Sequence, residues 1–142
     1  MDEHTISLIR ESFDLVEPIA PQAAVLFCNN LLAIDPTLRP LFADDLEPQA
    51  NRIMQGLASL VACLDRPETL DPLLDRLGRR LAATGLGVQQ YDAALRAWLQ
   101  TLHHALGVAY NDDVETAWMG AFNALGEHVR AAARLPRETT SV

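Results

Sequence analysis

The sequence predicts an all-α protein that folds as one domain. Apolar residues recur at three- and four-residue steps along most of the 142 residues, and no stretch alternates apolar and polar residues as a half-buried strand does. Proline and glycine interrupt this pattern at intervals typical of helix boundaries. With 49% hydrophobic residues, the chain can bury one substantial core. We expect about six main helices around that core.

The first two helices are predicted from apolar stripes and from the prolines that end them. Thr5 is a suitable cap for the first helix, which Pro18 and Pro21 close. The second helix is expected from Gln22 to Ile34, before the break at Asp35-Pro36. The residues expected to face the core from these helices are Ile6, Ile9, Phe13, Val16, Val25, Leu26, Leu31 and Leu32.

A short helical turn and an acidic corner are expected next. Leu38, Leu41 and Phe42 belong to the turn, and residues 43–48 form a corner whose acids predict exposure to solvent. After the corner, apolar residues from Ile53 onwards mark a longer helix that ends near Asp65.

Three further helices complete the predicted fold. Thr69 or Asp71 can cap a helix over Pro72 to Thr84, which the glycines at 85 and 87 stop. Another helix is expected from Val88 to Leu106. The last helix is capped within 111–113 and ends at Pro136, so residues 1–136 form the domain and residues 137–142 a disordered tail.

Composition narrows the classes of partner. The chain has eleven arginines, no lysine and nineteen acids, which gives a net charge of −8 and argues against nucleic acid and anionic membranes as partners. No run reaches the roughly 18 to 20 uninterrupted apolar residues that a membrane span needs. The amino terminus lacks a basic leader, so we expect a cytoplasmic protein. Cys28 and Cys63 show no CxxC spacing and are interpreted as buried free thiols.

Several segments carry a resemblance to a known family. AAVLFCNNLLAIDPTLRPLF (23–42) resembles the second helix and following corner of bacterial globins and neuroglobin-like proteins, and LEPQANRIMQGLASLV (46–61) resembles their distal helix. LGRRLAATGL (77–86), YDAALRAWLQTL (91–102) and ETAWMGAFNAL (115–125) resemble the three remaining helices in order. The resemblance covers nearly the whole chain and implies the globin fold, with a haem-type pocket.

The resemblance also implies which residues line that pocket. Phe42 matches the phenylalanine that packs flat on the haem ring, and Phe27 matches a position lining the distal cavity. Gln49 stands where a histidine or glutamine points at the bound gas, and Ile53 lies one turn later on the same side. Tyr91 resembles a tyrosine on the proximal side that supports the iron-binding histidine.

The sequence departs from the family at the iron ligand itself. The family pattern places the proximal histidine where this chain has Leu81, and a leucine side chain has no lone pair to give to iron. On the following helix, Leu95 and Trp98 stand where bacterial members commonly have glycine and leucine, and their bulk either fills space left for a macrocycle or belongs to ordinary core packing.

No other residue is a convincing replacement ligand. His4, His103, His104 and His128 are interpreted as surface or interhelical histidines, and their spacing predicts no zinc site. Cys28 as a haem thiolate is conceivable, but it follows the inward-facing Phe27 and so points elsewhere. The sequence contains no GxSxG, P-loop or HExxH pattern, and we expect no self-contained enzyme. Any reductase or output module is expected on another chain.

Three hypotheses follow for function. The first is a globin-fold protein that binds haem weakly or not at all and serves as a small-ligand-binding or regulatory interaction domain, similar to the haem-free globin domains of bacterial stress regulators. The second is a haem protein that binds oxygen or nitric oxide with Gln49, water or an external base on the iron. The third is an oxygen-binding globin in which Leu81 was engineered. The sequence leaves open an apolar small molecule or haem as ligand, a regulatory protein partner and a homodimer.

Overall fold

Six α-helices make up most of the part of the chain that the computed structural model describes, which is residues 2–42, 44–83 and 88–134. Those residues contain no strand, and the all-α prediction is confirmed. The helices are α1 (Glu3–Val16), α2 (Ala20–Ile34), α3 (Glu47–Ala62), α4 (Pro67–Ala83), α5 (Val88–Leu106) and α6 (Asp112–Arg134). Short 3-10 turns lie at Glu17–Ile19, Pro36–Leu41 and Gly107–Ala109.

The helices divide into two sets by their packing. α2 packs against both α3 and α5, and α6 packs against both α4 and α1. α3 therefore rests mainly on α2, whereas α4 rests mainly on α6. The two helices that flank the predicted pocket are thus held by different neighbours.

An aromatic cluster occupies the point where four helices meet. The ring centroids of Trp98 (α5) and Trp118 (α6) are 5.3 Å apart with their planes near perpendicular. Phe27 (α2) packs edge-on against Trp98 at 6.1 Å, and Phe13 (α1) lies 6.5 Å from Trp118. These are favourable arrangements for aromatic rings, and they link all four helices in the core. Ordinary core packing therefore accounts for Trp98.

The two tryptophans differ in how their indole N–H groups are satisfied. Trp118 donates from Nε1 to the Ser12 hydroxyl over 2.8 Å, and Ser12 in turn donates to the carbonyl of Leu8. Trp98 is also buried, but its Nε1 has no hydrogen-bond partner among the described residues. A buried donor without an acceptor costs stability, so the core contains one satisfied and one unsatisfied indole.

Several predicted helix boundaries are corrected by the structure. α1 begins at Glu3, and the Asp2 carboxylate, not Thr5, is the cap, accepting from the backbone N–H of Thr5 at 2.8 Å. α4 begins at Pro67 because proline suits a first turn, where its missing N–H has no helical partner; Pro72 lies inside the helix. The prediction for α5 matches its observed bounds, and Asn111 caps α6 by accepting from Val114 N–H at 3.0 Å.

The buried face of α2 also differs from the prediction. Leu31 is buried as expected, but Val25, Leu26 and Leu32 are half-buried. The face that the helix buries consists of Ala23, Ala24, Phe27, Cys28 and Leu31. The reason is that α2 is covered on two sides, because both α3 and α5 pack on it. The small side chains of Ala23 and Ala24 allow a neighbouring helix to approach α2 closely. In α1 the predicted residues Ile6, Ile9, Phe13 and Val16 are all buried.

The stretch Glu3–Ile34 is long and apolar enough, by composition alone, to cross a membrane. A third of its most apolar window is buried inside the fold, and the core helices of globular proteins pass the same measure. One such stretch near the amino terminus is weak evidence for a membrane span, because signal sequences also pass this measure. The glycine stop at 85 and 87 and the tail 137–142 lie outside the described residues.

Because only one of the two indole N–H groups forms a hydrogen bond, two matched variants should differ in stability. Trp118→Phe should lower the free energy of unfolding by about 1 kcal/mol more than Trp98→Phe, because only the former breaks a hydrogen bond, whereas both lose similar packing. Urea unfolding followed by circular dichroism measures the difference. Equal losses, or a larger loss for Trp98→Phe, would contradict the assignment of these two indoles.

Candidate functional site

The corner after α2 is joined to the start of α3 by a hydrogen bond. Asp35 caps the turn Pro36–Leu41 by accepting from the backbone N–H of Thr37 at 3.1 Å. This turn delivers Leu41 and Phe42 to the beginning of α3, where the Gln49 side-chain amide donates to the Leu41 carbonyl over 3.1 Å. Gln49 thus contacts the residue that precedes Phe42, and the role of both in a haem pocket stays a prediction.

Two large apolar side chains on this side of the molecule are exposed. Leu41 is 44% exposed and Ile53, one helical turn after Gln49, is 41% exposed. Phe42 is half-buried and packs against the core. The corner and the Gln49 face of α3 therefore present an apolar surface, which we call the distal surface: Leu41, Phe42, Gln49 and Ile53. Leu41 was not among the predicted site residues.

Phe27 lies deeper than these residues. It is 9% exposed and packs edge-on against Trp98 in the aromatic cluster. The described contacts of Phe27 are therefore core contacts, and its role in lining a distal cavity stays a prediction.

Leu81 belongs to the last turn of α4, which packs on α6. The placement of its side chain lies outside the described part of the structure. Whether this position faces the distal surface thus stays a prediction from the resemblance. Its chemistry does not depend on placement, because leucine carries no donor atom in any conformation.

Tyr91 is tied to α6. Its hydroxyl donates to the carbonyl of Phe122, and the two rings lie 6.0 Å apart. Burial raises the pKa of the Tyr91 phenol above its usual value, against the lowering effect of Arg130, so the group stays neutral. The resemblance implies that the Tyr91 hydroxyl supports the iron-binding histidine. In this structure, that hydroxyl donates its hydrogen bond within the contact between α5 and α6.

A glycine makes room for this tyrosine. A Cβ placed on Gly126 of α6 would lie 3.0 Å from Cε1 of the Tyr91 ring. Sequence analysis missed Phe122 and Gly126, although a glycine inside a helix is a signal of close packing. By contrast, a Cβ on Gly120, in the same helix, would meet nothing within 4 Å.

The described histidines lie away from the distal surface. His4, His103 and His104 are exposed, and His103 stacks on Tyr110 with ring centroids 4.9 Å apart. His128 is half-buried on α6, with Nδ1 3.3 Å from a carboxylate oxygen of Asp75 on α4. Within the ranges that the structure describes, no three histidine, cysteine or acidic side chains converge on a point that could hold a metal ion.

The two cysteines differ in their surroundings. Cys28 is fully buried in the core, and this burial raises the pKa of its thiol to about 11. At neutral pH the sulfur is protonated and is a poor iron ligand. Cys63, in the turn after α3, is only half-buried, so the prediction of two buried thiols holds fully for Cys28 alone.

An apolar cavity of about 50 Å³ lies between α3, α4 and α6. Its walls include Leu57 and Leu60 of α3, Leu74 of α4 and Leu125 of α6. Every residue that lines it is apolar, and the space is sufficient for a molecule of a few atoms.

These features agree with the comparison to known proteins. A globin family model matches residues 26–129, which is most of the chain. The chain belongs to the globin family, and the predicted globin fold is confirmed.

Individual relatives cover the chain to different extents. Neuroglobin from Danio rerio is 27% identical over 138 residues, covering 87% of this chain and 86% of that protein. Anaerobic nitrite reductase AHB2 from Arabidopsis thaliana is 28% identical over 134 residues, which cover 84% of this chain and 85% of that protein. A flavohemoprotein from Bordetella parapertussis is 28% identical over 105 residues, which are 71% of this chain but only 26% of that longer protein.

Members of this family normally hold haem, and the residues of this chain fit that group only in part. The distal surface offers an aromatic and aliphatic face of the kind that a porphyrin covers. For the iron donor, the described residues place no imidazole at the distal surface and the Cys28 thiol is protonated, and the position to which the resemblance assigns the proximal histidine, position 81, is leucine.

Thiol labelling tests the assignment of the cysteines. Iodoacetamide at pH 8 should modify Cys63 alone in the folded protein, because Cys28 is buried and its pKa, about 11, lies well above the working pH. Mass spectrometry should find one adduct, none in Cys63→Ser and one in Cys28→Ser. Two adducts in the folded protein would show that the α2 core opens more readily than described.

The Tyr91 contact predicts opposite effects for two glycine substitutions in α6. Gly120→Ala should stabilise the protein by about 0.5–1 kcal/mol, because alanine favours a helix and meets no neighbour. Gly126→Ala should destabilise it by about 1–2 kcal/mol, since Tyr91 is held by the Phe122 carbonyl and cannot yield. Thermal unfolding of both variants provides the measurement, and stabilisation by Gly126→Ala would refute the contact.

Proposed function

We propose that this chain is a globin-family protein that binds haem weakly or not at all through its own side chains, and that it serves as a small-ligand-binding or regulatory interaction domain. The observation that carries the proposal is Leu81, at the position where the family pattern has the proximal histidine. Without a lone pair at that position, apolar contact alone would hold a porphyrin.

The described residues offer no direct substitute. The Gln49 amide already donates to the Leu41 carbonyl, and an amide is a weak ligand for iron. The Cys28 thiol is held protonated in the core. His103 and His104 project to solvent from the end of α5, and His128 faces acidic residues on α4.

The accessible distal surface supports a retained capacity to bind apolar ligands. Leu41 and Ile53 expose a large part of their side chains beside the half-buried ring of Phe42. Covering such side chains is favourable by about 25 cal/mol per Å² of apolar area. A flat or compact apolar molecule, haem included, is therefore the class of ligand we propose.

A second candidate function is a haem globin whose iron takes its ligand from outside the chain. It is favoured by the agreement between the distal surface and the family pattern, and by the haem named in a flavohemoprotein relative. In that case an external base or water occupies the proximal side and Gln49 stabilises bound oxygen. A reductase activity like that named for the Arabidopsis relative would need such added ligation, and we propose that the chain alone is not an enzyme.

The biological setting rests on the sequence alone. We propose a bacterial cytoplasmic protein that transmits ligand binding to a regulatory partner or to a second copy of itself. The acidic charge of −8 supports neither a nucleic acid nor an anionic membrane as that partner.

The decisive experiment is a hemin titration of the unmodified protein and of Leu81→His. The variant should bind hemin at least about 100-fold more tightly, equivalent to about 3 kcal/mol, and give the visible spectrum of histidine-ligated haem. Added imidazole should produce a similar spectrum with the unmodified protein. Arg79→His is the matched control, because it places an imidazole at an exposed position of the same helix.

The outcomes separate the two candidates. Tight stoichiometric binding by the unmodified protein without imidazole would overturn the first proposal and favour the second. Equal hemin binding by Leu81→His and Arg79→His would refute position 81 as the proximal site.

A further inference from the structure

We propose that a cleft between the end of α1 and the face of α3 that carries Asn51, Met54, Gln55 and Ala58 binds a small organic ammonium ion with an apolar body. This cleft, which we call the α1–α3 cleft, has a volume of about 290 Å³. That volume lies near the lower end of the range for small-molecule sites. The site is independent of the proposed function of the distal surface.

The α1–α3 cleft and the distal surface lie on different faces of one helix. Asn51 and Gln55 border the cleft, whereas Gln49 and Ile53 belong to the distal surface. Each pair is displaced from the other by two residues, or about 200° around an α-helix. A ligand in the cleft would thus occupy a separate site.

The floor of the cleft is apolar. Phe13 is 3% exposed and Met54 is 7% exposed, and Ala58 continues the same face one turn later. These side chains are held in place by the core, since Phe13 packs against Trp118. The floor is therefore preformed and suits the hydrocarbon part of a ligand.

The rim of the cleft is polar and lacks internal partners. The side chains of Glu17, Asn51 and Gln55 line it, and none forms a hydrogen bond or ion pair with another described residue. Glu17 is the charged residue among those lining the cleft, and its carboxylate can only accept hydrogen bonds. The two amide oxygens can accept as well.

These groups select the charge of the ligand. The two amides can each accept or donate, so the choice rests on the negative carboxylate of Glu17, which favours a positively charged group that donates several hydrogen bonds, such as an ammonium ion. An anion would be repelled by Glu17 and by the net charge of −8. A ligand with an ammonium head at the rim and a short hydrocarbon or aromatic body on the floor satisfies both parts of the cleft.

The methionines provide a direct test. In protein labelled with [¹³C-methyl]methionine, 2-phenylethylammonium should produce a saturable shift of the Met54 methyl resonance, because this residue forms the floor. The Met119 methyl, 40% exposed on α6 and outside the cleft, should not move. The anion 3-phenylpropanoate should leave Met54 unchanged.

Variants separate charge from shape. Glu17→Gln should weaken binding of 2-phenylethylammonium about tenfold, whereas Glu11→Gln, at an exposed position of α1 outside the cleft, should not change it. Ala58→Leu should abolish binding by filling the floor, with thermal unfolding confirming that the variant folds. Absence of a saturable Met54 shift, equal affinity in Glu17→Gln, or equal binding of the anion would overturn the proposal.

Discussion

The contact between Trp98 and Trp118 is the constraint around which the fold is built. It joins α5 to α6, and through Phe27 and Phe13 it reaches α2 and α1. Each large side chain buried at this point contributes about 1.5–3 kcal/mol by removal of apolar surface from water. The hydrogen bond from Trp118 to Ser12 orients one of the two indoles and adds a second link between α6 and α1.

The aromatic cluster that stabilises the fold contains no residue of α3 or α4, the two helices that flank the predicted pocket. α3 and α4 attach to the four-helix centre through α2 and α6, respectively. Position 81, where the resemblance implies the proximal histidine, belongs to α4 and not to the four helices that form the aromatic cluster. Apolar burial at the centre supplies stability that does not depend on a metal bond.

The elements that sequence predicted well are those with a one-sided apolar stripe. In α1 every predicted inward residue is buried, because the helix contacts the core along one face. In α2 the same reasoning chose Val25 and Leu26, but contacts on two sides bury Ala23 and Ala24 in preference, a choice that depends on neighbours far away in sequence. Contacts between residues on different helices depend on how the helices pack, and they leave only a weak signal in the local sequence. The contact of Tyr91 with Gly126 is an example.

At the candidate site, the resemblance supplied Phe42, Gln49, Ile53 and Tyr91. The structure adds the hydrogen-bond partners of the two polar side chains among them, Gln49 and Tyr91. The Gln49 amide donates to the Leu41 carbonyl, and the Tyr91 hydroxyl donates to the carbonyl of Phe122. Both polar groups thus have partners within the protein, and a ligand need not compensate them. Selection of a ligand at the distal surface then depends on apolar area and shape. In the function we propose, this form of recognition would tolerate the loss of an axial ligand but would give up the chemical specificity that an iron–imidazole bond provides.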